Sequence, residues 1–411
     1  MLYHEAVRRF STRTSWNTAE SGYGAAVREA YASGRRVYDL TVSNPTRCGF
    51  NYDAEALLGP LRDPRALVYD PNPRGMASAR EAVARYYAGH GARVAADDLI
   101  LTTSTSESYS FLFRLLCDAG DEVLIAQPSY PLFDFLAQIE DVRLVAYPLV
   151  YDHGWQIDFA ELRARVTART KAIAVVHPNN PTGHFTKETE RRELERICEE
   201  HGLALIVDEV FLDYGFAGHE ARSFAAGEHT CLTFVLSGIS KIAALPQMKA
   251  AWICAFGPER ELKEALGRLE VVADTFLSMN APVQCALPAW LAGSEGMRHP
   301  TAPTAGAVGT PVREQIRART RGNLAIVDQI LLQNRTVTRL EVEAGWYAVL
   351  RVPALGSGED LAVRLVEERG VSVHPGYFFG FAGEGWLVVS LLTPEDEFRR
   401  GVEAICGMFG G

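Results

Sequence analysis

The chain has 411 residues, 47% hydrophobic and 22% charged, with 41 Lys plus Arg against 51 Asp plus Glu, a formal net charge of −10. This predicts a globular protein of two or three domains with a sizeable core, and the acidic balance argues against nonspecific binding to nucleic acid or an anionic membrane. Seven scattered cysteines with no C-x-x-C pair read as free thiols in a reducing cytosol, and the absence of an apolar leader or of about 18 consecutive apolar residues predicts no signal peptide, no membrane span and a cytoplasmic location.

In chain order, residues 37–49 (VYDLTVSNPTRCG) read as a short strand that breaks at Asn44-Pro45 into a loop. Residues 76–90 show the period of an amphipathic helix. From residue 98, apolar runs (DLILTT, DEVLIAQP, VRLVAYPL, KAIAVVHP, ALIVDEV, CLTFVLSG, MKAAWICAFG) punctuate helical stretches such as SESYSFLFRLLCDAG and KETERRELERICEEHG. That rhythm predicts an α/β domain with a mainly parallel sheet, its central strands buried on both faces. The Gly-, Pro-, Ala- and Thr-rich stretch 293–311 reads as a flexible connection to a smaller α+β domain. The expected division is therefore a large domain over 46–292 and a small one over 312–411, with residues 1–45 crossing over to join the small domain.

Ligands of open α/β sheets bind outside the carboxyl ends of the strands. The predicted strand ends carry Ser104-Thr105-Ser106, Ser129-Tyr130, Asn179-Asn180-Pro181-Thr182-Gly183, Asp208-Glu209 and Ser240-Lys241. Each has a plain structural reading: a helix N-cap, a packed turn, an Asx turn, a paired carboxylate, a solvated lysine. Together they suit one ligand. Hydroxyls and N–H groups at a helix start bind phosphate, an aromatic face stacks on a flat ring, a buried aspartate holds a proton on a ring nitrogen, and a lysine in apolar surroundings forms a Schiff base. Phosphate, ring, ring nitrogen and aldehyde are the handles of pyridoxal phosphate. The apolar stretch SGISKIAALPQMKAAWI holds two lysines, Lys241 and Lys249, and Lys241 is the one flanked by small residues.

Asn180-Pro181-Thr182-Gly183, Asp208 and Ser240-Lys241, in that order, resemble the class I/II pyridoxal-phosphate-dependent aminotransferases of the aspartate-aminotransferase-like fold type I, over residues 37 to 395. The closing loop VSNPTRCGF is most similar to that of the alanine-aminotransferase branch. The resemblance implies a seven-stranded-type, mostly parallel sheet flanked by helices, with a smaller α+β domain. It implies that Lys241 forms the Schiff base and then moves the substrate proton. Asp208 pairs with the ring nitrogen, and Asn180 donates to the ring oxygen and meets the substrate carboxylate. Tyr130 stacks on the ring, and Ser104, Thr105 and Ser106 hold the phosphate. Tyr69 matches a tyrosine that reaches the phosphate from a partner subunit, so a homodimer with shared active sites is implied. Asn44 and Arg47 of the closing loop are candidate substrate contacts.

Three positions depart from the family. Lys249 stands where relatives carry a phosphate-gripping arginine, keeping the charge without the planar fork. Phe211 replaces a tyrosine that donates to the ring oxygen, which predicts a raised Schiff-base pKa. Val388 falls at the arginine that binds the substrate α-carboxylate; Arg47, with Arg74 behind it, is the candidate substitute. Lys241 and Asp208 serve equally in a β-eliminating carbon–sulfur lyase, a decarboxylase or a racemase, which stay as alternatives to transamination. A non-catalytic pyridoxal-phosphate-binding regulator is disfavoured because residues 1–36 are too short for a DNA-binding domain, and a nicotinamide oxidoreductase because no G-x-G-x-x-G follows the first strand.

Overall fold

The structure, a computed structural model, describes residues 10–219, 222–292 and 311–409. Most of the predicted connection, 293–310, lies outside them. The strands are β1 (Tyr38–Asp39), β2 (Leu99–Thr102), β3 (Glu122–Gln127), β4 (Arg143–Tyr151), β5 (Trp155–Ile157), β6 (Thr170–Val176), β7 (Ala204–Asp208), β8 (Thr233–Gly238), β9 (Ala251–Phe256), β10 (Thr338–Arg339), β11 (Tyr347–Arg351), β12 (Val371–Ser372), β13 (His374–Pro375) and β14 (Trp386–Ser390).

Eight strands form the large sheet in the order β2-β9-β8-β7-β6-β3-β4-β5. The run from β8 through β4 is parallel, while β9 is antiparallel to both its neighbours and β5 antiparallel to β4. The eighth strand is the difference from the seven-stranded expectation. β4 runs on to Tyr151 and turns through Asp152–Gly154 into three residues of β5, too short for an apolar run to announce them.

The period of two sorts the strand side chains onto two faces. Leu124, Leu205, Val207, Val235 and Trp252 join one core cluster, with residues of the helices Ala77–Gly89, Glu188–His201 and Ala281–Ala292. Val123, Ile206, Phe234 and Ile253 join the other, with the helices Thr105–Leu116 and Glu259–Phe276. Both faces are covered, which explains why β6, β7 and β8 read as unbroken apolar runs.

A second, antiparallel sheet has the order β10-β11-β14-β13, and β1 pairs in parallel with β12. The helix Gly22–Ala32 packs Tyr23, Ala26 and Ala30 against Ala362 and Val366 of Gly358–Arg369. Among the described residues no helix is long and apolar enough to cross a membrane.

Candidate functional site

Sheet register puts the predicted residues on one rim. Gly238 at the end of β8 pairs with Ala251, and Ala251 pairs with Thr102 at the end of β2. Asp208 pairs with Leu236 of β8 and with Val176 at the end of β6. The carboxyl ends of β2, β6, β7 and β8 therefore lie side by side, carrying Ser104–Ser106, Asn180, Asp208 and Lys241.

Ser104 caps the helix Thr105–Leu116, its Oγ accepting from the Glu107 N–H at 3.1 Å. The plain N-cap reading of this serine holds. The N–H groups of Thr105 and Ser106 belong to the first helical turn, which has no intrahelical acceptor for them. Asn179 shapes the next turn: its Oδ1 accepts from the Thr182 hydroxyl at 2.8 Å. Gly183 closes that turn at φ +72°, where a Cβ would collide with the Ala344 carbonyl. Asn180 is buried, and its Oδ1 has no partner.

Asp208 is buried and accepts from the Val210 N–H at 3.0 Å. Burial pushes its pKa up to about 6, against lowering by that N–H, by Lys241 and by the Tyr109 hydroxyl. Tyr109, one helical turn beyond Ser106, is itself buried with no hydrogen bond at normal distance. Lys241 lies on the short helix Ile239–Ile242 that follows β8. Desolvation lowers its pKa to about 8, with Asp208 acting in the opposite direction. The Nζ stands 5.5 Å from the Phe211 ring centroid and 4.7 Å from that of Trp346. The Tyr214 hydroxyl fixes the lysine backbone, donating to the Lys241 carbonyl at 2.6 Å.

Two linkage effects follow. The folded chain holds fewer protons on Lys241 than the unfolded chain between about 8 and the ordinary 10.5, so this group makes stability rise with pH across that window. Asp208 holds more protons folded than unfolded between 3.8 and about 6, so its contribution falls as pH rises there. We expect the urea midpoint of the cofactor-free protein to show a gain between about pH 8 and about pH 10.5 that Lys241→Met lacks. Identical pH dependence in the two proteins would contradict the lowered lysine pKa.

The small sheet supplies part of the wall. Gly215 and Ala344 form a β-bridge, and the Gly345 N–H donates to the Tyr214 carbonyl at 2.9 Å. These contacts seat Trp346 and Tyr347 beside Phe211, Tyr214 and Ala244 in one apolar cluster, with Cys48, Phe50 and Tyr52 of the N-terminal loop. Tyr52 donates to the Ala244 carbonyl at 2.9 Å, tying that loop to the lysine segment. Val388 is fully buried on β14, opposite Val349 and on the same face of the sheet as Tyr347.

Other predicted residues stand at the margin. Lys249 does not open β9, which begins at Ala251. It is exposed and left-handed at φ 54°, at the end of the turn Pro246–Met248, because the chain reverses there between β8 and β9. Tyr130 is 44% exposed, edge-on to Phe133. Asn44 and Arg47 are exposed; the Asn44 Oδ1 caps the Pro45–Arg47 turn through the Thr46 N–H. Tyr69 is 80% exposed. Arg74 is paired with Glu270 at 2.7 Å.

Trp346, Tyr347, Tyr214 and Tyr109 were not singled out by the sequence. Only Trp346-Tyr347 left a signal, an aromatic pair after Gly345 at the start of an apolar strand.

The fold is that of one class of protein. The family model for class I and II aminotransferases matches residues 61–405, and the chain belongs to that family. Among individual relatives, it is 29% identical over 266 residues to the glutamate-pyruvate aminotransferase AlaA of Escherichia coli K12, covering 64% of this chain and 65% of the relative. It is 32% identical over 275 residues to the alanine aminotransferase of Mycobacterium tuberculosis, covering 65% of this chain and 62% of the relative. The chain thus matches less than two thirds of the length of either. Among solved structures, the alanine aminotransferase of Pyrococcus furiosus superposes with a TM-score of 0.84 at 23% identity, over 98% of this chain and 99% of that one. The Thermus thermophilus aspartate aminotransferase, as a single mutant, gives 0.78 at 25%, over 97% and 99%.

Proposed function

We propose that the protein is a pyridoxal-phosphate-dependent aminotransferase that moves an amino group between an amino acid and a keto acid or other carbonyl acceptor. The observation that carries this is the pairing on one rim of a desolvated lysine, Lys241, with a buried carboxylate, Asp208, in a chain of the class I and II aminotransferase family. The residues fit the cofactor. Asn180 Oδ1 and Trp346 Nε1 are buried and unpartnered, as expected of walls that face a further polar group, and a helix start lies on the same rim.

When bound, pyridoxal phosphate supplies an aldehyde that condenses with amines and a ring that draws electrons from the adjoining carbon. The N–H groups of Thr105 and Ser106 would hold its phosphate, with Lys249 as a counter-charge. Asp208 would accept a hydrogen bond from the ring nitrogen and keep its proton in place. Lys241, with a pKa lowered to about 8, is about one-tenth neutral at pH 7, and its Nζ would take the proton from the substrate carbon bearing the amino group and pass it on. Tyr214 holds the lysine segment in place through the Lys241 carbonyl.

A homodimer is part of this proposal. Leu67, Val68 and Tyr69 are exposed, as are Val271, Phe276 and Leu277. Val68, Tyr69 and Leu277 share the lining of a cavity of about 210 Å³. Apolar groups gathered like this mark an association surface, and a second subunit there would shield Tyr69 and bring it to the partner's phosphate site.

Arg47 stays as the candidate for the substrate carboxylate, on a loop tied to the lysine segment by Tyr52. Arg47→Ala is expected to weaken apparent affinity for carboxylate substrates by about 10-fold or more, in line with losing a charged hydrogen bond; unchanged affinities for every such substrate would remove Arg47 from the site. The proposal as a whole is tested by adding amino donors to the cofactor-loaded protein. Conversion of its visible band to that of the amine form of the cofactor supports transamination. Release of a keto acid without that conversion means elimination instead.

A further inference from the structure

Trp346 is fully buried, yet its Nε1 has no hydrogen-bond partner. Buried N–H groups are nearly always paired, so an orphan calls for a reason. The ring is firmly held, edge-on to Phe211 at 5.3 Å and to Tyr214 at 5.1 Å, behind the Gly345–Tyr214 backbone hydrogen bond. Its centroid lies 4.7 Å from Lys241 Nζ, closer than that of Phe211. Phe211 itself has no donor to offer.

We propose that Trp346 is a cofactor-binding residue, its indole N–H donating a hydrogen bond to the ring oxygen of lysine-bound pyridoxal phosphate. The ring oxygen of that cofactor is on the carbon next to the one that bears the aldehyde. Once the Lys241 nitrogen is joined to the aldehyde carbon, the oxygen lies beside that nitrogen. The indole borders the space into which the lysine nitrogen reaches, and its unpaired N–H is the donor on that wall. A donor there stabilises negative charge on the oxygen, which matters most when the neighbouring nitrogen has lost its proton. The donor therefore lowers the pKa at which the visible band titrates.

The inference rests on the pyridoxal-phosphate reading, and one experiment separates the two. The visible band of the loaded protein is titrated with pH in wild type, Trp346→Phe, Phe211→Tyr and the double variant. Trp346→Phe is expected to raise the band's pKa by about 1–2 units, the loss of one hydrogen bond to a charged acceptor. Phe211→Tyr is expected to lower it, and to reverse the rise in the double variant. If Trp346→Phe does not fold, benzothienylalanine at position 346 keeps the ring shape and removes only the N–H, and it should raise the pKa alike. A band that titrates as in wild type once the N–H is gone overturns the role of Trp346 alone. The lack of any visible band in the wild type overturns the cofactor reading instead.

Discussion

Lys241→Ala is expected to leave a folded protein that takes up no visible band from pyridoxal phosphate and transaminates at least about 10³-fold more slowly. The size follows from the two jobs proposed for one nitrogen, covalent attachment and proton transfer. The fold should survive, because Lys241 contributes no side-chain ion pair within 4 Å among the described residues, and its backbone stays held by Tyr214. Removing the ammonium also removes a desolvation cost, so the cofactor-free variant should be at least as stable as wild type near neutral pH. Visible spectra, turnover and a urea melt check the three parts separately. A band of normal intensity in the variant would mean that another lysine does the work.

Asp208→Asn should be nearly as damaging to turnover, by about 10²–10³-fold, for a different reason. The amide keeps the shape and the Val210 contact but not the charge proposed to hold a proton on the cofactor ring. Asp208 is also the charge that raises the Lys241 pKa, so the variant's lysine should titrate below about 8 in the cofactor-free protein. The pH dependence of its reaction with an amine-selective reagent measures this. Burial alone pushes the Asp208 carboxyl upward, so the substitution should not cost the empty protein stability near neutral pH. Loss of turnover without loss of stability separates a role in the chemistry from a role in the core; equal loss of both would contradict the assignment.

The sequence revealed what repeats locally. Unbroken apolar runs gave β6, β7 and β8, and a strand end followed by a polar residue located Asn180, Asp208 and Lys241, because parallel strands put those ends on one rim. What it concealed depends on contacts between distant segments. Trp346 is 105 positions from Lys241 in the chain, and contacts such as the Gly215–Ala344 bridge and the Gly345–Tyr214 hydrogen bond bring them together. Tyr214 reads as one more apolar residue after Phe211 until its hydroxyl is seen on the Lys241 carbonyl. Lys249 reads as a strand residue because it adjoins an apolar run, but it sits left-handed at the reversal into β9 with its side chain exposed. The departures at Phe211 and Val388 were legible one by one. What surrounds them was not, and there the structure adds most: Phe211 belongs to an aromatic cluster with Trp346, and Val388 faces the same side of the small sheet as Tyr347.

The central claim is that Lys241 is the residue that holds pyridoxal phosphate. Loading the protein with the cofactor, reducing it with borohydride and digesting it tests this directly. One pyridoxyl phosphate per chain is predicted, on the peptide that contains Lys241 and on no other. Label on Lys249 or elsewhere, or no label at all, would contradict the account.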